Sequence, residues 1–350
     1  MPYTIDHFPI LEKIVAAGDV LEADTVKWMQ RWQGLNLDDA ASYHFPELSG
    51  STSVNLKIET TETPPKSRGS FVTRNSSANP NTEIAYFNLL SILGWGRLCR
   101  PAARYELGPG ASARFRALIL STPMPAAARR ENADRIRAAI DAGGPLRGCV
   151  KAKKPDSLKG LDAIANTGAP PNGAPQQAHP IIRAVQAANP KPAAGTQLNL
   201  GGGYAGDARE LAREYSVLMT MDALFEQWDR YSGGNTALRK DDAGKAHFYL
   251  ADNGGADLSG NATWARRNLG WFSRYDRATI ARLAELRLFL TGAAAQFLGY
   301  SDRLLFLADL GLYFELTPQN YLDRFSRNLG LLAERVAEVR TAFGDQAFFD

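Results

Sequence analysis

Residues 228–235 have the sequence WDRYSGGN, and residues 248–255 have the sequence FYLADNGG. The first stretch places Asp229 in a loop that ends near Asn235, and the second places Asp252 directly after a run of apolar residues. A predicted hairpin lies between them, so the three side chains can converge at one end of two paired strands. One carboxylate in such a cluster can orient a hydroxyl group. The other two side chains can supply oxygen ligands to Mg²⁺, which prefers hard oxygens. We therefore predict Asp229 as a catalytic residue and Asn235 and Asp252 as metal ligands.

Turn formation is the competing explanation for both stretches. Asn, Asp and Gly are frequent in ordinary turns, and either stretch alone would be assigned to one. The two stretches flank a single hairpin, with strands predicted at 236–238 and 247–251, and both follow a helix predicted at 208–228. This combination favours a functional site.

Upstream of these stretches, the chain predicts a small sheet crossed by one helix. Between residues 51 and 60, Val54, Leu56 and Ile58 alternate with polar residues, which is typical of a strand with one buried face. The other elements predicted in this region are strands at 70–74, 103–107 and 113–120, and a helix at 83–93 that begins near Pro80.

The polar residues of this region suit a phosphate group. The turn before the first strand carries Ser51 and Thr52, whose amide and hydroxyl groups can approach phosphate oxygens, although such runs are also common surface turns. Lys57 and Arg74 are the available cations on the first two strands. Glu83 lies in the first turn of the helix, where it either positions a phosphate-binding cation or only favours the positive end of the helix dipole.

Composition divides the chain into three regions. We predict a helical extension at 1–45, a sheet-rich lobe at 46–124 and a mainly helical lobe at 125–350, with a proline-containing break after Leu120. Residues 155–203 are rich in Pro, Gly, Ala and Asn and are predicted as an irregular insertion. The last region is also predicted to contain helices at 126–142 and from 278 onward, and a short strand at 146–151.

The order of these motifs resembles that of the atypical kinases that share the phosphoinositide-kinase and HipA-type fold. Those families have a Ser-Gly turn and strand, a basic residue on the next strand, an acid that opens the helix, a DRxxxN-type loop and a strand that ends in a metal-binding Asp. The matching positions here are Ser49-Gly50, Arg74, Glu83, Asp229 to Asn235, and Asp252. The resemblance implies an α+β, two-lobed, protein-kinase-like fold, with a small antiparallel sheet and a helix in the N-lobe and a larger, mainly helical C-lobe.

The resemblance also implies a phosphotransferase that uses ATP and Mg²⁺, or Mn²⁺, to phosphorylate a hydroxyl group on a protein or a small molecule. ATP would lie between the lobes, with the segment after Leu120 as the hinge beside adenine. The residues that would bind the nucleotide are Ser51, Thr52, Lys57, Arg74 and Glu83.

Two departures from the family pattern keep other functions open. Arg74 stands where the families usually have lysine, and the two cations are not interchangeable. The spacing from Asp229 to Asn235 is one residue longer than in protein kinases. A pseudokinase or scaffold that binds partners, and a kinase-fold enzyme with another ATP-dependent transfer such as nucleotidylation, remain alternatives.

Composition also limits the partners and the location. The 350 residues are 45% hydrophobic and include 40 basic and 37 acidic side chains, which gives no support for a nucleic-acid partner or a polybasic membrane anchor. The longest apolar run, 286–300, is too short to span a bilayer, and the N-terminus resembles no export signal. We expect a cytoplasmic protein, or a secreted or periplasmic one if a signal was removed. Neither the oligomeric state nor a disulfide between Cys99 and Cys149 follows from the sequence.

Overall fold

The computed structural model describes residues 4–50, 52–76, 78–169, 172–232, 234–258 and 260–350. Its α-helices are α1 (Pro9–Ala16), α2 (Ala23–Trp32), α3 (Pro80–Ile92), α4 (Pro109–Ser121), α5 (Ala127–Asp141), α6 (Pro180–Ala184), α7 (Ala208–Leu224), α8 (Thr263–Leu269), α9 (Arg277–Leu290), α10 (Arg303–Leu310) and α11 (Pro318–Phe343). Its strands are β1 (Tyr43–His44), β2 (Leu48–Ser49), β3 (Asn55–Thr60), β4 (Ser67–Thr73), β5 (Ala102–Leu107), β6 (Leu146–Lys151), β7 (Lys159–Gly160), β8 (Ala165–Asn166), β9 (Ala174–Pro175), β10 (Gln197–Asn199), β11 (Ala205–Asp207), β12 (Thr236–Lys240), β13 (Ala246–Leu250), β14 (Tyr275–Asp276) and β15 (Phe348–Phe349).

An antiparallel sheet forms the core of the N-terminal half. Its strand order is β1-β3-β4-β6-β5, and β2 also pairs with β3. The alternation predicted for the first strand is confirmed, because Leu56 and Ile58 are fully buried while Asn55, Lys57 and Glu59 are partly exposed. Helix α3 packs against β5 and β6, and its Pro80 occupies the first turn as expected.

The prediction of a strand at 113–120 is wrong, because this segment belongs to helix α4. Phe115 and Ile119 lie one turn apart on the buried face of that helix, and the ring of Phe115 packs edge-on against Phe71 of β4. Pro109 occupies the first turn of α4, where proline favours helix initiation. The apolar residues of this segment therefore follow a helical period.

Strand β6 takes an interior position in this sheet. It pairs antiparallel with β4 on one side and with β5 on the other, so that Val150 lies opposite both Phe71 and Ala103. The N-lobe sheet is therefore completed by residues beyond the boundary that the sequence predicted at 124. Helices α4 and α5 lie between β5 and β6 in the chain, so the return of the chain to the sheet could not be seen in local composition.

The C-terminal half contains the predicted hairpin and a group of packed helices. Strands β12 and β13 pair with Thr236 opposite Leu250, and the short strand β7 extends the sheet beside β12. Helix α7 packs against β13, α8 and α11. The predicted α+β fold, with a small antiparallel sheet followed by a larger helical lobe, is confirmed.

The remaining regions pack onto this framework. The described residues of the segment 155–203 form only short elements, of which the five-residue helix α6 is the longest. In the N-terminal extension, the indole nitrogen of Trp32 donates to the carbonyl of Arg68 in β4 at 2.9 Å.

Cys99 and Cys149 are both buried and form no disulfide. Among the residues that the structure describes, no helix is long and apolar enough to cross a membrane.

Candidate active site

A cleft of about 1240 Å³ lies between the N-lobe sheet and the β12–β13 hairpin. Of the residues predicted from sequence, it is lined by Thr52, Lys57, Asp229, Asn235 and Asp252. Glu83 lies beneath this lining, Arg74 lines a different cavity, and Ser51 falls outside the described residues. The structure thus brings together the three residues around the hairpin with parts of the N-lobe sheet.

Lys151, at the end of β6, supplies the buried cation of the cleft. Its ammonium forms an ion pair with the carboxylate of Glu83, and both side chains are almost completely buried. Burial raises the pKa of Glu83, and the charge of Lys151 opposes that rise without cancelling it. In the sheet, Lys151 lies directly opposite Ser70 of β4. The cation is therefore on the strand next to the one that the family resemblance implied.

The two predicted cations have other partners. The Nε of Arg74 lies 3.1 Å from a carboxylate oxygen of Glu315, at the wall of a separate cavity of about 360 Å³. Lys57 lines the cleft, but its ammonium pairs with Glu47. The expectation that Glu83 holds Arg74 or Lys57 is therefore wrong. Sequence reasoning missed Lys151 because its partner is far away in the chain, and no local pattern indicates which strands are neighbours.

Asp252 follows β13 and is exposed to the cleft. Burial by the surrounding protein would raise the pKa of its carboxyl group. The charge of Lys151 and a hydrogen bond from the Gly254 N–H (3.1 Å) outweigh that effect, and the pKa of Asp252 is lowered. Asp252 is thus held as an anion beside the Glu83–Lys151 pair.

Asn235 and Asp229 are joined at the other side of the cleft. The Asn235 amide nitrogen donates to the carbonyl of Asp229 at 2.7 Å and to its Oδ2 at 3.1 Å. These bonds engage the nitrogen and leave the amide oxygen of Asn235 as its remaining ligand atom. Asp229 is half-buried, and its main-chain N–H donates to the Gln227 side chain at 3.0 Å.

A buried arginine fixes both loops of the site. The Arg230 guanidinium pairs with Asp222 of α7, with nitrogen–oxygen distances of 2.9 Å, and both side chains are almost inaccessible. Its Nη1 donates to the carbonyls of Asn235 (2.8 Å) and Asp252 (3.0 Å). Asp222 also accepts a 2.9 Å hydrogen bond from the Tyr86 hydroxyl of α3. The two predicted metal ligands are therefore positioned through one guanidinium.

Gly254 and Gly255 allow the loop after β13 to pack closely. A Cβ at Gly255 would lie 2.7 Å from the Cβ of Asp229, which no side chain could tolerate without a shift. The carbonyl of Gly254 accepts the main-chain N–H of Asn79 at 3.1 Å, and the Thr82 hydroxyl donates to the carbonyl of Asn253 at 3.0 Å. These contacts fasten the loop to the first turn of α3, the turn that also carries Glu83.

The turn between β2 and β3 closes another edge of the cleft. Gly50 adopts a φ of +94°, and a Cβ there would lie 2.5 Å from the carbonyl oxygen of Ser53. The carbonyl of Thr52 accepts a 3.0 Å hydrogen bond from the side chain of Asn132, a fully buried residue of α5. The tight turn places small polar residues at the cleft rim.

The predicted hinge after Leu120 is also wrong. Residues 122–126 connect α4 and α5, and none of them lines the cleft. The chain crosses between the two sheets after β6 instead, where Lys153, Lys154 and Pro155 line the cleft. The main-chain N–H groups of Lys153 and Lys154 have no main-chain partner within the described part of the chain. Local sequence does not predict this crossing, because β6 joins the N-lobe sheet only through its pairing with β4 and β5.

The donor set fits a hard divalent cation. Asp252 is anionic and exposed to the cleft, and Asn235 has a remaining amide oxygen. No group of three or more His, Cys, Asp or Glu side chains that could hold a metal occurs in the described ranges. Mg²⁺ commonly uses one or two protein carboxylates and completes its shell with substrate phosphates and water.

Solved structures show the same overall arrangement. The crystal structure of the Golgi casein kinase with Mn/ADP bound matches with a TM-score of 0.52 at 14% identity, over 97% of this chain and 91% of that one. The structure of hydra Fam20 with sugar matches with a TM-score of 0.54 at 12% identity, over 89% and 90%. The chain has a protein-kinase-like fold of the Fam20 type. No protein-family model matches the sequence, and no curated protein matches it significantly.

At these identities the likeness shows the fold alone. It confirms the kinase-like architecture that the motifs predicted. It does not show that the chain belongs to the phosphoinositide-kinase and HipA-type group.

Proposed function

We propose that this protein is an ATP- and Mg²⁺-dependent phosphotransferase that acts on a hydroxyl group of a protein or a small molecule. The observation that carries the proposal is the buried Glu83–Lys151 pair, which lies beside an ionised Asp252 on the floor of a cleft whose other wall holds Asp229. Phosphoryl transfer depends mainly on cations, metal ligands and a positioned carboxylate, and this cleft combines all three. The finer affiliation with phosphoinositide or HipA-type kinases stays a prediction.

Each residue has a stated role in the proposal. Lys151, held by Glu83, binds the phosphates of ATP, and Thr52 of the β2–β3 turn borders them. Asp252 and the amide oxygen of Asn235 would hold the metal, which neutralises phosphate charge when bound. The main-chain N–H groups of Lys153 and Lys154, where the chain crosses between the sheets, would bind adenine, because they line the cleft and have no main-chain acceptor among the described residues. The neighbouring structure with Mn/ADP bound supports a nucleotide and a divalent cation.

Asp229 orients the acceptor. Its carboxylate accepts the proton of the substrate hydroxyl while the hydroxyl oxygen bonds to the γ-phosphorus. The bond from that phosphorus to the oxygen bridging the β- and γ-phosphates breaks, and ADP leaves. Asn235 fixes the orientation of Asp229 through their 3.1 Å side-chain contact.

Nucleotide binding and turnover test this assignment. A titration with ATP and Mg²⁺ and an assay of ADP release should show binding and slow turnover by the unmodified protein. Lys151→Met and Asp252→Ala should each weaken nucleotide binding by about ten- to a hundredfold, the effect of losing a charge-assisted contact of about 1.5–3 kcal/mol.

Arg74→Ala is the matched control, because Arg74 lies in another cavity and should leave nucleotide affinity unchanged. Wild-type binding in the Lys151 variant, or a large loss in the Arg74 variant, would contradict the proposed site. Release of pyrophosphate instead of ADP would show nucleotidyl transfer, and ATP binding without any product would show a pseudokinase.

A further inference from the structure

The C-terminal helices α9 and α11 enclose an apolar groove of about 700 Å³, remote in sequence from the cleft residues. Leu283, Leu332 and Val336 form its buried floor. Ala284, Ala333 and Ala337 line it with small side chains, and Leu288 is 51% exposed at its edge. Small side chains allow another helix to approach within the 8–10 Å axial distance of packed helices.

The length of the groove suits a short helix. Its lining on α11 runs from Leu329 to Thr341, which corresponds to about 18 Å of helix at 1.5 Å per residue. That distance accommodates about three helical turns, enough for apolar side chains at i, i+3 or i+4, and i+7. The groove therefore has room for one apolar stripe of a partner helix.

Two arginines give the groove its charge. Arg287 and Arg340 line it and are exposed, and neither has an ion pair within the described ranges. The nearby acids Glu285 and Glu338 are already paired with other arginines on the same helices. The rim therefore presents unpaired positive charge next to apolar surface.

We propose that this groove binds an amphipathic helix of a partner protein whose apolar stripe is flanked by acidic residues. The apolar stripe fills the space above Leu283 and Val336, and carboxylates on either flank meet Arg287 and Arg340. Rim charges of this kind contribute modestly to affinity but select the partner and its orientation.

Synthetic helical peptides test the proposal on the full chain. The probe is a fluorescein-labelled peptide of about four turns with leucines at i, i+3, i+4 and i+7 and glutamates on both flanks. A second peptide carries lysines in place of the glutamates, and a third has the acidic composition in scrambled order. Fluorescence anisotropy should show saturable binding of the acidic peptide, about tenfold tighter than of the other two, as expected for two exposed ion pairs.

Charge reversal provides the decisive variant. The double variant Arg287→Glu/Arg340→Glu should prefer the basic peptide, and Ala337→Trp, which fills the groove, should reduce the binding of both. Arg183→Glu is the control, because Arg183 is an exposed helical arginine on α6, outside the groove. All of these variants should retain the nucleotide affinity of the unmodified protein, which separates this test from that of the cleft.

Three results would overturn the proposal. These are no saturable peptide binding, an unchanged preference for the acidic peptide in the charge-reversed variant, and a dimer in sedimentation that Ala337→Trp abolishes. The last result would assign the groove to a second copy of the chain.

Discussion

Replacing Arg230 with methionine should destabilise the protein strongly. The guanidinium forms a buried pair with Asp222 and donates to the carbonyls of Asn235 and Asp252. Arg230→Met removes the positive charge while keeping a long side chain, so Asp222 is left as a buried carboxylate without its counterion. Breaking a buried pair in this way costs about 3–5 kcal/mol. The loop carbonyls lose their donor at the same time, so we expect a free energy of unfolding lowered by at least about 3 kcal/mol.

Urea unfolding followed by tryptophan fluorescence and far-UV circular dichroism measures this change. The double variant Arg230→Met/Asp222→Leu should recover a substantial part of the loss, because the buried carboxylate is gone. Arg116→Met is the matched surface control. Arg116 pairs with Asp141 at 2.6 Å, but both are exposed, and its removal should shift the unfolding midpoint little. An Arg230→Met variant as stable as Arg116→Met would refute the argument, as would a double variant less stable than the single one.

Three further predictions concern the catalytic loop and the hairpin. Asp229→Asn should retain ATP binding and lower turnover by at least roughly a hundredfold, because only the proton-accepting charge is lost; equal turnover in a steady-state assay would exclude that role. Gly255→Ala should lower turnover and stability together, since its Cβ would displace Asp229, whereas Gly330→Ala, with open space in α11, should raise stability by about 0.5–1 kcal/mol in the same urea assay. A hydrogen bond to Glu214 raises the pKa of His247, so its stabilising effect is present below about pH 6.5 and is lost as the pH rises through the raised value. The urea unfolding midpoint of the unmodified protein should therefore fall as the pH rises from about 6.5 through the raised pKa of His247. The His247→Gln variant should lack this fall, and identical pH profiles of the two proteins would contradict the assignment.

Local pattern determined much of the framework. Alternation identified strand β3, the turn residues identified the β12–β13 hairpin, and Pro80 marked the start of α3, because each signal depends on neighbours within one or two turns of chain. The same local signals placed Asp229, Asn235 and Asp252 at one end of a hairpin, and the structure finds all three lining one cleft.

Tertiary structure alone decided which cation lies in that cleft and which segment of the chain connects the two sheets beside it. Lys151 reaches Glu83 because β6 pairs between β4 and β5, and two helices separate it from β5 in the chain. The sequence of residues 113–120 predicts a strand, whereas the structure places them in helix α4 and buries Phe115 and Ile119 on one face of it. Periodicity is a property of one segment of the chain. Strand order and ion pairing depend instead on the packing of distant segments, which buries apolar area and brings opposite charges into contact. A sequence pattern therefore identifies the loops that carry the carboxylates, and only the folded sheet identifies the lysine they face.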